Sequence, residues 1–309
     1  MRVLLNWLGR HGITLLFTGV FIGLALPPIA ALLRPLLAPS VVFLLFFSLL
    51  RVDWRSIRVY LRRSFLIGLL VFWMLVLSPF LTWGLLSQLS LPQSLSTAVI
   101  LMAAAPPILG ATAIALLLGL DGALTLVVGL VSTLLAPLTI PPLVFWLLGL
   151  ELEVGTGELM LRLASIVLPA LLGAITVRTF IGAAQLVRNA AAIDGVIVII
   201  MLIFAIAIMD GVTATLIERP NIVALWLTTA FIANPALQLL TILCFWTLGR
   251  NLAFTAGLMA GNCNMGLMLA ALPPDSDFDV ILYFAVAQIP MYMLPALLKP
   301  VYRRLLSRA

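Results

Sequence analysis

Between residues 13 and 301 the chain is a succession of apolar runs, each close to the length that crosses a bilayer and separated by only short breaks. A spanning helix needs about 20 apolar residues to cross roughly 30 Å of hydrocarbon. Inside hydrocarbon every backbone polar group must be satisfied by the segment itself or by its neighbours, so only helices and closed barrels qualify. These runs are too long for barrel strands and lack their two-residue alternation. The pattern predicts an all-α membrane protein of about ten spans: 13–33, 36–50, 64–86, 91–118, 122–148, 159–181, 191–212, 221–248, 252–272 and 280–299. The second is short and is expected to tilt or to merge with its flanks. No room is left for a separate soluble domain. Only 9% of residues are charged, against roughly 25% in soluble domains, and the mean hydropathy is +1.25.

Cytoplasmic flanks retain Arg and Lys, which makes the charges an independent test of this division. With both termini cytoplasmic, 14 of the 17 basic residues fall inside, and only Arg34, Arg162 and Arg219 fall outside. Eight of the 11 acidic residues lean the other way, Glu151, Glu153, Glu158 and Asp275 among them. The expected location is the cell's inner, cytoplasmic membrane. The net charge of +6 is then a topology signal, and no nucleic-acid partner is expected. Arg51, Arg55, Arg58, Arg62 and Arg63, with Trp54 and Tyr60, would sit at the inner headgroup layer, where each basic residue contributes about 1 kcal/mol of attraction to anionic lipid. Arg2 and Arg10 before an apolar run imitate a secretory signal, but the run is long and no small-residue cleavage site follows, so it is read as the first helix. Cys244 and Cys263 both lie in expected helices, so no structural disulfide is expected.

A division near Gly155 leaves five spans in residues 1–155 and five in 156–309. Five being odd, the halves enter the membrane in opposite directions, and inverted repeats of this kind are a common plan for secondary carriers. The fourth span contains Ala105, Pro106, Pro107 and Gly110, and its two prolines remove two backbone donors. The ninth contains Gly261, Asn262, Cys263, Asn264, Met265 and Gly266, two amides and two glycines in an apolar stretch. Both helices are expected to unwind and to cross near the midplane, because freed backbone is tolerated there only beside protein or a water-filled cavity. Paired broken helices in matching positions of two halves point to a central binding site.

These residues resemble the bile acid:sodium symporter family and its bacterial relatives over nearly the whole chain. The resemblance is carried by Ala105-Pro106, Gly119, Asp121-Gly122-Ala123-Leu124-Thr125, Val131-Ser132-Thr133-Leu134 and Pro137. It continues in Gly261, Asn264, Gly266 and Leu267, with Phe47 to Asp53, Pro79 and Asn234 in similar places. It implies a panel domain packed against a core domain that carries two crossed, unwound helices, the two interleaved along the chain. It also implies sodium-coupled uptake of amphipathic organic anions such as bile acids or related carboxylates and sulfates. Carried over position by position, the sodium-site equivalents are Thr112 (for an asparagine), Thr125, Gly129 (for a hydroxyl residue), Met259 (for the shared glutamate) and Cys263 (for a glutamine). Met74, five residues before Pro79, replaces another glutamine. A buried sodium ion needs several hard oxygens and a compensating carboxylate, and sulfur is a soft substitute. At least one sodium site is therefore expected to be lost, which leaves sodium, proton or no coupling open.

An anionic substrate would meet the positive ends of the half-helices, where unsatisfied N–H groups are expected to point into the crossing. Pro106, Thr112, Asn234, Asn262, Asn264 and Gln288 are the residues expected to line it, and neither a cofactor nor a confident metal site is implied. Proton coupling needs an ionisable group at membrane depth, and Asp121, Asp194 and Asp210 read more simply as interfacial caps. His11, the single histidine, supports neither a triad nor a metal centre. Met291 and Met293 read as core filler. The expected function is secondary transport of a small organic anion. The alternatives are a sensor or binding protein on a degenerate carrier fold and an intramembrane enzyme, for which no nucleophile with a base is found. Substrate, direction and oligomeric state are not legible.

Overall fold

The computed structural model describes residues 7, 12–52, 60, 62–149, 155–273 and 275–306. His11, Asp53, Trp54, the basic residues Arg2, Arg10, Arg55, Arg58 and Arg308, and the acidic Glu151 and Glu153 lie outside the described residues. In chain order the helices are α1 (Gly12–Ala25), α2 (Pro27–Leu33), α3 (Leu37–Leu50), α4 (Ser64–Phe72), α5 (Ser78–Leu86), α6 (Gln93–Ala104), α7 (Ala111–Leu118), α8 (Gly122–Leu148) and α9 (Thr156–Ile181). They continue as α10 (Ala183–Arg188), α11 (Ala190–Ala207), α12 (Val212–Glu218), α13 (Pro220–Phe245), α14 (Arg250–Gly261), α15 (Met265–Ala271), α16 (Phe278–Val286) and α17 (Gln288–Leu306). The described residues are helical, with no strand beyond one isolated bridge.

Among them, seven helical segments are long and apolar enough to cross a membrane: Pro27–Leu50, Ser64–Leu86, Gly122–Leu148, Thr156–Ile181, Ala190–Glu218, Pro220–Leu248 and Phe278–Tyr302. The other three expected spans are shorter or interrupted. The fourth is divided into α6 and α7, and the ninth into α14 and α15. The first differs from expectation. It ends at Ala25 rather than Leu33, and Pro27–Leu50 runs on through a 3-10 turn at Arg34–Leu36. Leu26 turns the chain (φ −126°, ψ 69°), because a residue before proline is steered out of the α region and Pro27-Pro28 supply no donors to α1.

The chain forms two compact units, each from two segments: Met1–Val52 with Ala164–Ala224, and Asp53–Leu163 with Leu225–Ala309. In the first, α1 lies against α11 through Gly19 and Gly23. A Cβ on Gly19 would stand 2.7 Å from Leu202 Cδ1, and one on Gly23 2.7 Å from the Ile206 carbonyl oxygen. Small residues four apart let two backbones approach this closely, and in a membrane such packing replaces the hydrophobic effect as the source of helix association. Asp194 and Asp210 are not helix caps here. Asp194 accepts from Arg51 at 2.7 Å and Asp210 from Arg34 at 3.1 Å. Arg178 donates to the Leu50 and Val52 carbonyls at 3.4 and 3.1 Å, a cation at the negative end of α3.

The second unit holds the interrupted helices, with Leu95, Leu101, Met102, Ile140, Tyr283 and Phe284 fully buried. Between α4 and α5 the helix widens into a π turn, Trp73–Leu77. Pro79 explains it: its ring clashes with the carbonyl four residues back, and the extra residue relieves the ladder. Asp121 caps α8 by accepting from Leu124 N at 2.9 Å. The Tyr60 hydroxyl donates to the same carboxylate at 2.8 Å, and Thr255 Oγ1 accepts from Asp121 N at 3.2 Å. Partial burial, then the hydrogen bond and charge of Asp121, hold the Tyr60 phenol above its usual range, against a lowering by Arg63. Ser94 donates to Asp277, and Trp226 Nε1 donates to the Asp279 carbonyl at 2.7 Å.

Candidate functional site

The two interruptions meet. Ala105 leaves α6 with extended backbone (φ −66°, ψ 139°) as the residue before Pro106, and Asn262 ends α14 with φ −107° and ψ 65°. Pro107 and Cys263 then face one another as an antiparallel bridge. Ile108 N donates to the Asn262 carbonyl at 2.9 Å, and Asn264 N donates to the Pro106 carbonyl at 2.7 Å. Each broken segment therefore supplies the partners that the other lost on leaving its helix.

At the break in the ninth span the carbonyls that end α14 find partners, as buried backbone requires. Four carbonyls at the end of a helix lack an intrahelical partner. Here Leu258 O accepts from Asn262 N and Nδ2 at 3.1 and 2.8 Å. Met259 O accepts from Asn262 N at 3.3 Å, Ala260 O from Cys263 Sγ at 2.9 Å, and Gly261 O from Asn234 Nδ2 at 2.5 Å. Asn264 caps α15, its Oδ1 accepting from Leu267 N at 3.1 Å. Ala111, Thr112 and Ala113 donate to the Ile108, Leu109 and Gly110 carbonyls at 2.9 to 3.2 Å. Of the N–H groups expected to be free at the half-helix starts, those of residues 111–113, Met265 and Leu267 are taken by local turns and by the Asn264 cap, and the helix dipoles add to any attraction for an anion there.

Among the described residues, the buried side-chain polar atoms without a partner are Thr112 Oγ1, Ser132 Oγ and Asn262 Oδ1. Thr112 and Asn262 belong to the broken spans. Pro106 and Asn234 touch the crossing through the bonds just given. Gln288 is buried, and its amide donates to Phe284 O one turn back at 3.2 Å; no bond joins it to the crossing. Of the sodium-site equivalents, Gly129 lies against the break, since a Cβ there would be 3.5 Å from Pro107 O. Thr125 Oγ1 is spent on Asp121 O at 2.9 Å. Met259 is fully buried and Met74 lies buried in the π turn. Met259 and Cys263 are four residues apart, a spacing that would put them on one face of a continuous helix. Because α14 stops at Gly261, Cys263 instead lies in the extended bridge. Among the described residues no Asp or Glu is buried.

Two residues escaped the sequence reading. Gln238 Nε2 donates to Asn234 Oδ1 at 2.7 Å, and Tyr302 OH donates to Gln238 Oε1 at 2.7 Å. For Gln238 a signal was present: Asn234, Gln238 and Thr241 form a polar stripe at helical spacing in a largely apolar helix, the pattern of one face turned toward protein.

Long apolar helices in two units, with paired interrupted helices bonded to one another, define a multi-pass helical membrane protein. The model of the Sodium Bile acid symporter family matches residues 38–215, more than half of the chain. The chain belongs to that family, whose members are transporters and not enzymes. No curated protein matches the chain.

Proposed function

We propose that the protein is a secondary transporter of small organic anions, amphipathic carboxylates or sulfates, which pass the crossing of the fourth and ninth spans without sodium coupling. The arrangement goes with ten spans in two inverted repeats, 1–155 and 156–309, and with both termini cytoplasmic in the inner membrane.

One observation carries this reading. At the crossing, Thr112 Oγ1 and Asn262 Oδ1 are buried without a partner, and buried polar groups are seldom left so unless they serve a ligand or an ordered water. An amide oxygen can only accept, and a threonine hydroxyl can do either. A hydroxyl or protonated group of the substrate therefore suits Asn262, while its charged end is served by the positive ends of α7 and α15. Loss of sodium coupling is supported by Met259 in place of a carboxylate. A sodium ion there would have no buried negative charge to offset its desolvation.

The test is uptake of labelled bile acids and simpler amphipathic sulfates into proteoliposomes. The reading expects saturable uptake, reduced at least tenfold in Asn262→Leu and in Thr112→Val. Equal flux in protein-free liposomes would end the transporter reading. Saturable binding without flux would instead favour a sensor.

A further inference from the structure

Gly261 closes α14, and two features of the structure meet on it. A Cβ at this position would overlap Gln238 Cγ and stand 2.5 Å from Gln238 Nε2, and one at Gly257 would stand 2.5 Å from Ile242 Cγ1. Glycine is needed at both places for space, since neither has a positive φ, and the pair lets α14 lie directly on α13. The Gly261 carbonyl is then reached by Asn234 Nδ2. In a continuous helix that carbonyl would accept from Met265 N; here Met265 N donates to Cys263 O at 3.0 Å instead.

The chain of bonds has a fixed polarity. A carbonyl only accepts, so Asn234 must turn Nδ2 to Gly261 and Oδ1 to Gln238. Gln238 must then turn Nε2 to Asn234 and Oε1 to Tyr302, whose hydroxyl donates at the far end. Asn234, Gln238 and Tyr302 are each at least 96% buried, so no bulk water can substitute for a missing link. Phe254 of α14 packs edge-on against the Tyr302 ring at 5.1 Å.

We propose that Tyr302, Gln238 and Asn234 form a positioning relay that fixes where α14 ends, and so holds the Asn262–Asn264 segment in the bridge to Pro106 and Ile108. They are positioning residues: the hydrogen bonds of Tyr302 and Gln238 reach the crossing through Asn234. Any consequence for ligand affinity rests on the transport reading above; the geometric claim does not.

Cys263 supplies a readout that needs no substrate. The chain has two cysteines, so in a Cys244→Ala background Cys263 is the remaining thiol, buried and donating to Ala260 O. Its modification rate by N-ethylmaleimide in detergent reports how tightly the bridge is held. Tyr302→Phe keeps the ring and removes the donor, and Gln238→Leu removes the middle link. Each should raise the rate at least fivefold, and the double variant should exceed the larger single effect by less than twofold, because links in series do not add. Thr241→Val is the control: it removes a buried bond from Trp73 Nε1 (2.9 Å) on the same helix, outside the relay, and should leave the rate within twofold. An unchanged rate in Tyr302→Phe, or an equal rise in Thr241→Val, would overturn the relay. If Gln238→Leu does not fold, Tyr302→Phe against Thr241→Val decides alone.

Discussion

Met259 is fully buried, and a glutamate introduced there would be a carboxylate without a partner, a state that costs several kcal/mol unless a proton or cation neutralises it. Met259→Glu should therefore melt lower than the parent in choline buffer and regain stability as sodium is added, by ordinary linkage. The parent should melt at the same temperature in both salts. A Met259→Glu variant indifferent to sodium would separate Met259 from the ion position that the family resemblance assigns to it. In the same unit, Tyr60 titrates above its usual value because burial and then Asp121 favour the neutral phenol. Its contribution is complete below the unfolded value of about 10 and is lost as pH rises through the raised folded value. The difference in melting temperature between the parent and Tyr60→Phe should thus be flat from pH 7 to 9 and shrink above pH 10; a difference that grew with alkalinity would contradict the assignment. Residues such as Met259 and Cys263 were legible as departures from a pattern. Gln238 had a local signal in the stripe it shares with Asn234 and Thr241, but Tyr302 had none, because its bond to Gln238 joins positions 64 apart in sequence.

The two interruptions were legible because their causes are local: Pro106-Pro107 cannot donate, and Gly261 to Asn264 combine weak helix formers with a capping side chain. What joins them was not, since the bonds from Ile108 N and Asn264 N exist only when both segments are extended side by side. The end of α1 was misread for a related reason. Pro27-Pro28 lie inside an apolar run that hydropathy alone treats as unbroken, and only the steric effect on Leu26 ends the helix there. The glycine spacing on α1 yields a quantitative expectation. Gly23→Leu drives a side chain into the Ile206 carbonyl and Met209 and should destabilise by about 1–3 kcal/mol. Gly68→Ala, with nothing within 4 Å of the new Cβ, should leave stability unchanged or raise it by up to about 1 kcal/mol through helix propensity. Thermal melts in one detergent compare the two, and equal losses would mean that α1 does not approach α11 as described.

For the whole molecule, the class of fold followed from the lengths of the apolar runs, whereas the bounds of the two units did not, because each draws on two distant chain segments; an interleaved panel and core came only from the family resemblance. The proposed sidedness rests on charge placement. In a variant lacking both native cysteines, Gly155→Cys should react with an impermeant maleimide only from outside; labelling only from the cytoplasmic face would reverse the topology. At this scale the sodium question also becomes a measurement of flux. The crossing offers a ligand the unpaired atoms of Thr112 and Asn262, while Met259, at the position to which the family resemblance assigns a sodium-site glutamate, carries a thioether. Initial rates of bile-acid uptake into proteoliposomes, with external sodium replaced by choline at constant ionic strength, test this most directly. Rates equal within twofold are predicted, and a tenfold or greater fall without sodium would contradict the account.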